Sequence, residues 1–110
     1  MKNIFLLILT ISSLHNYSKT IISTKSGNWN QIQTWNSLTI PKSSDTVIIA
    51  NQDTVNINTN SAKCDYLELN GTIFFKSPSN NLTSRVILSK NKSEINGTSL
   101  AILRVDDFIN

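Results

Sequence analysis

From Thr20 onward the sequence consists of short segments rich in β-branched and aromatic residues, separated by Asn, Ser, Asp and Gly. These separating residues favour turns. No segment keeps an apolar stripe at helical spacing over three turns, so the pattern predicts an all-β domain. Val47–Ile49 and Val86–Leu88 are continuous apolar runs, typical of strands covered on both faces. The predicted strands are Thr20–Thr24, Thr46–Ala50, Thr54–Asn58, Asp65–Leu69, Thr72–Lys76, Arg85–Ser89, Ser93–Asn96 and Leu100–Val105.

The N-terminus has the features of a secretory signal peptide. Lys2 precedes the apolar run Ile4–Ile11, and small polar residues follow as far as Ser18. The run is much shorter than the roughly 20 residues that span a bilayer. We therefore expect a signal peptide over residues 1–18, a mature domain over residues 19–110 without a membrane span, and a product that is secreted or held at the cell surface.

Composition excludes several classes of function. The chain has 110 residues, enough for one domain, and a net charge of +3 without a run of Lys or Arg, so we expect no nucleic-acid partner. The single histidine, His15, lies in the predicted signal peptide, which excludes histidine-dependent catalysis and histidine zinc sites from the mature chain. Cys64 is the single cysteine and is predicted to be a buried apolar residue. We expect no metal and no cofactor.

Paired carboxylates are the remaining route to catalysis, as in glycoside hydrolysis. The acidic residues lie in turns and on strand faces, where a structural role explains them. We therefore expect no catalytic residues and no enzymatic activity in this chain. The acidic residues considered are Asp45, Asp53, Asp65, Glu68, Glu94, Asp106 and Asp107.

An internal repeat is suggested in the second half, where Glu68–Thr72 recurs as Glu94–Thr98 after 26 residues. Such a period is typical of stacked repeats, with each coil giving short strands to parallel sheets. Leu69 and Ile95 would then stack inside, and the two glutamates would lie one coil apart on the outer face, where they could bind a cation. The Asn-Gly pairs are equally a β-hairpin signal, so both architectures stay open.

The most informative motif is a pair of tryptophans six residues apart, followed by a proline, an Asp before a Val/Ile strand, and a strand that ends in an x-Gly-x turn. This order resembles the opening of secreted right-handed β-helix proteins of the Bacteroidota, many of them exported by the type nine secretion system. It is also similar to the G-eight domain of animal extracellular proteins. The resemblance covers about Ser23–Phe75. Its structural residues, together with a third glycine, are Gly27, Trp29, Trp35, Pro41, Asp45, Gly71 and Gly97.

The resemblance implies the N-terminal cap and first coils of a right-handed parallel β-helix, with the domain incomplete at Asn110; a small β-sandwich is the alternative fold. Trp29 and Trp35 would cover the apolar end of the stack. In the alternative interpretation, the same two side chains form an exposed ligand-binding platform that stacks on sugar rings.

The function expected from these observations is a secreted or cell-surface, non-enzymatic module with an adhesion, scaffold or glycan-contact role. Its partners would be extracellular glycans or surface proteins, and an open β edge at Leu100–Val105 would allow self-association. Two alternatives remain at this point. The chain could be the N-terminal fragment of a larger extracellular polysaccharide-degrading enzyme, or a free-standing carbohydrate-binding β-sandwich.

Overall fold

The computed structural model describes residues 18–90, 92–98 and 101–110, and these residues form an all-β structure, as predicted. The predicted signal peptide lies outside the described residues except for Ser18. No described helix has the length and apolar character needed to cross a membrane. The strands are β1 (Thr20–Ile22), β2 (Gly27–Asn28), β3 (Thr46–Ile49), β4 (Thr54–Ile57), β5 (Ala62–Leu69), β6 (Thr72–Phe75), β7 (Asn81–Ser89), β8 (Glu94–Gly97) and β9 (Ile102–Ile109), with a short 3-10 helix at Ile32–Thr34.

Successive strands alternate between two parallel sheets. The odd strands form a five-stranded sheet in the order β1-β3-β5-β7-β9, and the even strands form a four-stranded sheet in the order β2-β4-β6-β8. Thr46 lies beside Tyr66 and Tyr66 beside Val86, so the chain returns to the same position after 20 residues. The chain is therefore a stack of coils around one core. Two sheets that share a core also fit the description of a small β-sandwich.

The strands β5 and β7 bend around the core. In β5 the buried positions are Ala62 and Cys64 before the bend and Leu67 and Leu69 after it, so the inward-facing side changes from even to odd residues. The ladder between β5 and β7 is interrupted at the same place, since Asp65 has no partner in the register. The bend gives the five-stranded sheet two arms, and the four-stranded sheet closes the coil.

Apolar side chains form rows that run along the stack through the core. One row consists of Ile21, Val47, Leu67 and Ile87, which are aligned in the register and fully buried. Alternate residues of each strand point to solvent, as strand geometry requires. Burial of these rows, without any disulfide in the described part of the chain, supplies the hydrophobic stabilisation of the fold.

The suggested 26-residue repeat is not a structural repeat, and the cation site proposed from it is wrong. Glu68 lies in the five-stranded sheet beside Leu88, whereas Glu94 lies in the four-stranded sheet beside Thr72. Ile95 does not stack on Leu69, because its neighbour in the register is Ile73. The hairpin alternative is also wrong, since β5 and β6 belong to different sheets.

The Asn70–Gly71 corner depends on glycine for a close backbone approach and not for a positive φ angle. An Asn-Gly pair favours a positive φ angle at its glycine. Gly97 has one, at 146°, whereas Gly71 does not, and Gln52 and Lys92 adopt positive φ at 74° and 65° although they are not glycines. Gly71 is required instead by close approach, because a Cβ there would overlap the backbone carbonyl oxygens of Asp53 and Ala50.

Candidate functional site

The two tryptophans form a buried cluster at the N-terminal end of the stack. Trp29 and Trp35 are each 1% exposed, and their rings meet edge to face with centroids 5.2 Å apart. The Trp35 Nε1–H donates a hydrogen bond of 3.0 Å to the backbone oxygen of Trp29. A platform for sugar rings requires a ring face open to solvent, and neither indole has one. These side chains belong to the core.

The segment around the tryptophans is held by hydrogen bonds that require Gly27. The Thr34 hydroxyl is buried and donates a 2.8 Å hydrogen bond to the Asn28 carbonyl oxygen. A Cβ at Gly27 would lie 2.5 Å from Thr34 Oγ1, so a side chain at this position would displace that hydroxyl. We call residues 27–36 the N-terminal cap.

The N-terminal cap also covers the outer edge of β1. The side-chain oxygen of Asn36 accepts a 2.9 Å hydrogen bond from the Ile22 backbone N–H. The backbone N–H of Asn36 donates a second hydrogen bond, also 2.9 Å long, to the Ile22 carbonyl oxygen. The Thr24 N–H donates to the Thr34 carbonyl at 2.9 Å. The first strand of the stack therefore has no free edge at these positions.

Asp45 is a fully buried carboxylate with a structural environment. Its side-chain oxygens accept hydrogen bonds from the backbone N–H groups of Lys42 at 2.9 Å and Lys19 at 3.1 Å. Its backbone oxygen accepts a 2.8 Å hydrogen bond from Asp65 in the next coil. Pro41, which precedes this turn, is also buried. Asp45 thus joins the start of β1, the turn before β3 and the following coil.

The carboxylates of Asp53 and Asp65 are likewise engaged by neighbouring side chains. Asp53 accepts a 2.7 Å hydrogen bond from the Ser23 hydroxyl. Asp65 accepts two hydrogen bonds from the Arg85 guanidinium, at 2.8 and 3.2 Å. The hydrogen bond from Arg85 lowers the pKa of Asp65 below its ordinary value. Both groups bridge adjacent coils.

Cys64 is buried, as predicted, and burial raises the pKa of its thiol to about 12. The neutral thiol donates to the Ser84 hydroxyl over 3.5 Å. A thiol with this pKa is not a nucleophile at neutral pH. Across residues 18–90, 92–98 and 101–110, no group of three or more His, Cys, Asp or Glu side chains is arranged to hold a metal ion.

The outer face of the four-stranded sheet carries an arrangement that sequence analysis did not identify. The register aligns Asn28 with Asn56, Asn56 with Phe74, and Phe74 with Asn96, which makes a column across all four strands. Asn56 Nδ2 donates to Asn28 Oδ1 at 3.3 Å. Phe74 is 39% exposed and lies between two amides. We call this column of four side chains the amide face.

A second polar column lies beside the amide face. It consists of Thr54, Thr72 and Glu94, which are aligned on three of those four strands, β4, β6 and β8. Neighbouring strands are about 4.8 Å apart, so the two columns present a flat grid of amide, hydroxyl and carboxylate groups around one aromatic ring. Such a surface can hydrogen-bond hydroxyl groups while the ring packs on an apolar face of the same ligand.

The sequence alone indicates which side chains of this site face solvent, but not which of them are neighbours. In β6 the alternation places Ile73 and Phe75 inside and Phe74 outside. Nothing local aligns Phe74 with Asn56 and Asn96, because that alignment depends on two different steps between strands, of 18 and 22 residues. The amide face becomes visible only once the register is known.

A family model described as the G8 domain matches residues 34–100 of this chain. The match covers more than half of the 110 residues, and the chain therefore belongs to the G8 domain family. The match begins one residue before Trp35 and contains Pro41, Asp45, Gly71 and Gly97, but Gly27 and Trp29 precede it. Neither the curated proteins nor the solved structures provided a match.

Proposed function

We propose that this chain is a non-enzymatic module of a secreted or cell-surface protein, which contacts extracellular glycans through the amide face. Membership of the G8 family and the all-β fold are the general support for this proposal. The observation that carries it is the position of Phe74, an exposed aromatic ring between Asn56 and Asn96.

The architecture that we propose for the module is a right-handed parallel β-helix. Support comes from the alternating return of the chain to each sheet and from the parallel pairing of all nine described strands. Right-handed connections between parallel strands are strongly favoured by strand twist. A β-helix presents flat outer faces, which suits contact with an extended ligand.

Glycan contact is favoured by the chemistry of the amide face. Sugar rings have an apolar face of C–H groups that packs on aromatic rings, and a rim of hydroxyl groups that needs donors and acceptors. The side chain of Asn supplies both a donor and an acceptor. Phe74 and its two neighbouring amides lie on three adjacent strands, so they can engage one sugar unit together.

A binding role is favoured over a catalytic one by the environment of the carboxylates. Asp45 is bonded to two backbone N–H groups, Asp53 to Ser23, and Asp65 to Arg85. Glu68 accepts a 3.0 Å hydrogen bond from the Asn70 side chain and lies 4.0 Å from Lys90 Nζ. Each of these groups has a structural partner that explains its position.

Export through a signal peptide is part of the proposal and rests on the sequence of residues 1–18. Lys2 and the apolar run Ile4–Ile11 support it. The relation to type nine secretion cargo of the Bacteroidota stays a prediction of the resemblance.

The proposal is tested by titrating the purified chain with a panel of neutral and acidic oligosaccharides of defined structure. We expect saturable binding to at least one of them, and Phe74→Ala should weaken it about tenfold, equivalent to about 1.4 kcal/mol. Ile32→Ala is the matched control, since Ile32 is an apolar side chain with similar exposure, 44%, outside the amide face. Equal affinity in the two variants would contradict the assigned surface, and a panel without any binding would contradict the glycan-contact role.

A further inference from the structure

The amide face is longer along the axis of the stack than along its strands. Along the axis it crosses β2, β4, β6 and β8 through Asn28, Asn56, Phe74 and Asn96. Since neighbouring strands are about 4.8 Å apart, this column measures about 14 Å. The face therefore offers one side chain per strand over a distance that fits several sugar units rather than one.

Along a strand the same surface is shorter. The strand β6 has four residues, and only Thr72 and Phe74 alternate outward between the buried Ile73 and Phe75. These two outward positions are about 7 Å apart. Before Thr72 the chain turns at Gly71 from the five-stranded sheet. A ligand that lies along β6 therefore meets two of these side chains, whereas a ligand along the axis meets the whole column.

The amides of the column keep hydrogen-bonding groups for a ligand. Asn56 Nδ2 donates a 3.3 Å hydrogen bond to Asn28 Oδ1. This bond leaves Asn56 its second N–H and its oxygen, and it leaves Asn28 both of its N–H groups. Asn96, on the other side of Phe74, is exposed. Donors and acceptors thus lie on both sides of the aromatic ring.

The face carries little charge. Of the four side chains of the amide face and the three of the second column, Glu94 is the one that is ionised at neutral pH. A glycan with an acidic group on successive units would bring negative charges beside this carboxylate. These two columns hold no cation to offset the repulsion, so the face favours an uncharged ligand.

We propose that the amide face binds an uncharged glycan with an extended, ribbon-like chain, and that this chain lies along the axis of the stack. The inference rests on the proposed function, since it names the ligand class and its direction on the same face. A sugar unit of an extended chain is comparable in length to the spacing between strands, so successive units meet successive strands. One ring packs on Phe74, and hydroxyl groups of the neighbouring units bond to Asn56 and Asn96.

The shape of the face selects the linkage of the glycan. The column lies on one sheet and contacts a ligand from one side. A chain with equatorial linkages is flat, so its units stay at the same distance from the sheet over the length of the column. A chain with axial linkages coils and leaves the surface after a short contact. Cello-oligosaccharides and malto-oligosaccharides separate these cases, because both are uncharged glucose chains and differ in the linkage.

Length and linkage are tested by NMR titration of the purified chain with cellobiose, cellohexaose and maltohexaose, and with the di- and hexasaccharide of chitin as a second extended series. We expect the hexasaccharide of at least one extended series to bind about thirtyfold more tightly than its disaccharide. A gain of about fivefold is statistical, because a hexasaccharide contains five disaccharide units, so a larger gain reports further contacts along the column. Maltohexaose should bind about tenfold more weakly than the extended hexasaccharide.

The direction of the ligand is tested with two variants. Asn28 lies two strands from Phe74, about 10 Å away, whereas Lys76 lies two residues beyond Phe74 along the chain, about 7 Å away. We expect Asn28→Ala to weaken binding of the extended hexasaccharide at least threefold and to leave disaccharide binding unchanged, which also shows that the variant is folded. Lys76→Ala should change neither, although Lys76 is nearer. Asn51→Ala is the matched control, since Asn51 is an exposed asparagine outside the amide face.

Three results would overturn this inference and leave the proposed function standing, provided that Phe74→Ala weakens the binding observed. The first is equal affinity for maltohexaose and the extended hexasaccharides. The second is a larger effect of Lys76→Ala than of Asn28→Ala on hexasaccharide binding, which would place the glycan along the strand. The third is tighter binding of an acidic oligosaccharide than of either extended series. Absence of binding to every oligosaccharide would overturn both the inference and the proposed function.

Discussion

The two ends of the stack differ although the same row of side chains connects them. The row begins at Ile21 in β1, continues through Val47, Leu67 and Ile87, and ends at Phe108 in β9. Ile21 is fully buried, whereas Phe108 is 44% exposed. Both lie in the outermost strands that the structure describes, so the difference comes from the cover that the described residues give to each strand.

The N-terminal cap closes the first end by two means. The tryptophan cluster provides apolar cover, and the backbone and side chain of Asn36 satisfy the edge of β1. At the other end Leu103 and Val105 are only half-buried against the core. The comparison teaches that a parallel stack needs both kinds of cover, because an uncovered coil exposes apolar side chains and unpaired backbone groups together.

Removing the tryptophan cover should have the largest effect. Trp35→Ala deletes a buried side chain and its hydrogen bond to the Trp29 carbonyl, so we expect a loss of about 3–5 kcal/mol in the free energy of unfolding. Chemical denaturation measures the change. Ile32→Ala is the control, and we expect less than about 0.5 kcal/mol for it, because its side chain is already exposed. A loss in Trp35→Ala as small as that in Ile32→Ala would contradict the assigned role of the tryptophan cluster in closing the core.

A smaller effect should come from the ion pair between Asp65 and Arg85, which lies outside the core. Arg85 lowers the pKa of Asp65, so this pair contributes stability that is present above the unfolded pKa of Asp65, about 3.9, and is lost as the pH falls through the lower folded value. In Arg85→Ala we expect the Asp65 pKa to rise to its ordinary range. Carboxyl titration by NMR measures the shift, with Lys63→Ala as the control. An unchanged Asp65 pKa in Arg85→Ala would contradict the assigned cause.

The predicted strand positions were close to the observed ones because alternation and turn residues are local signals. Eight predicted segments overlap the strands other than β2. The strand β2 has two residues, Gly27 and Asn28, and exists through its pairing with β4, so no local pattern announces it. The strand β9 extends through Asp106 and Asp107 to Ile109, although charged residues are typical of a strand end, because the β7 ladder continues beside it.

The candidate site was harder to predict than the fold. A ligand-binding platform was considered for Trp29 and Trp35 because of their residue type alone. Both side chains are buried, so they have no exposed surface to contact a ligand. Phe74 was identified only as part of a strand. The suggested 26-residue repeat was wrong, because Glu68–Thr72 and Glu94–Thr98 have similar turn residues but lie at different positions in the coil. The actual steps between aligned residues vary along the chain, so only the observed register brings the site together.

The most direct test of the difference between the two ends is the cost of truncating each terminal residue of the shared row. Ile21→Ala and Phe108→Ala are compared by chemical denaturation at a protein concentration where the chain is monomeric. We predict a loss of about 2–5 kcal/mol for Ile21→Ala and less than about 1 kcal/mol for Phe108→Ala, because only the first creates a cavity. Equal losses would contradict the account of one closed and one open end.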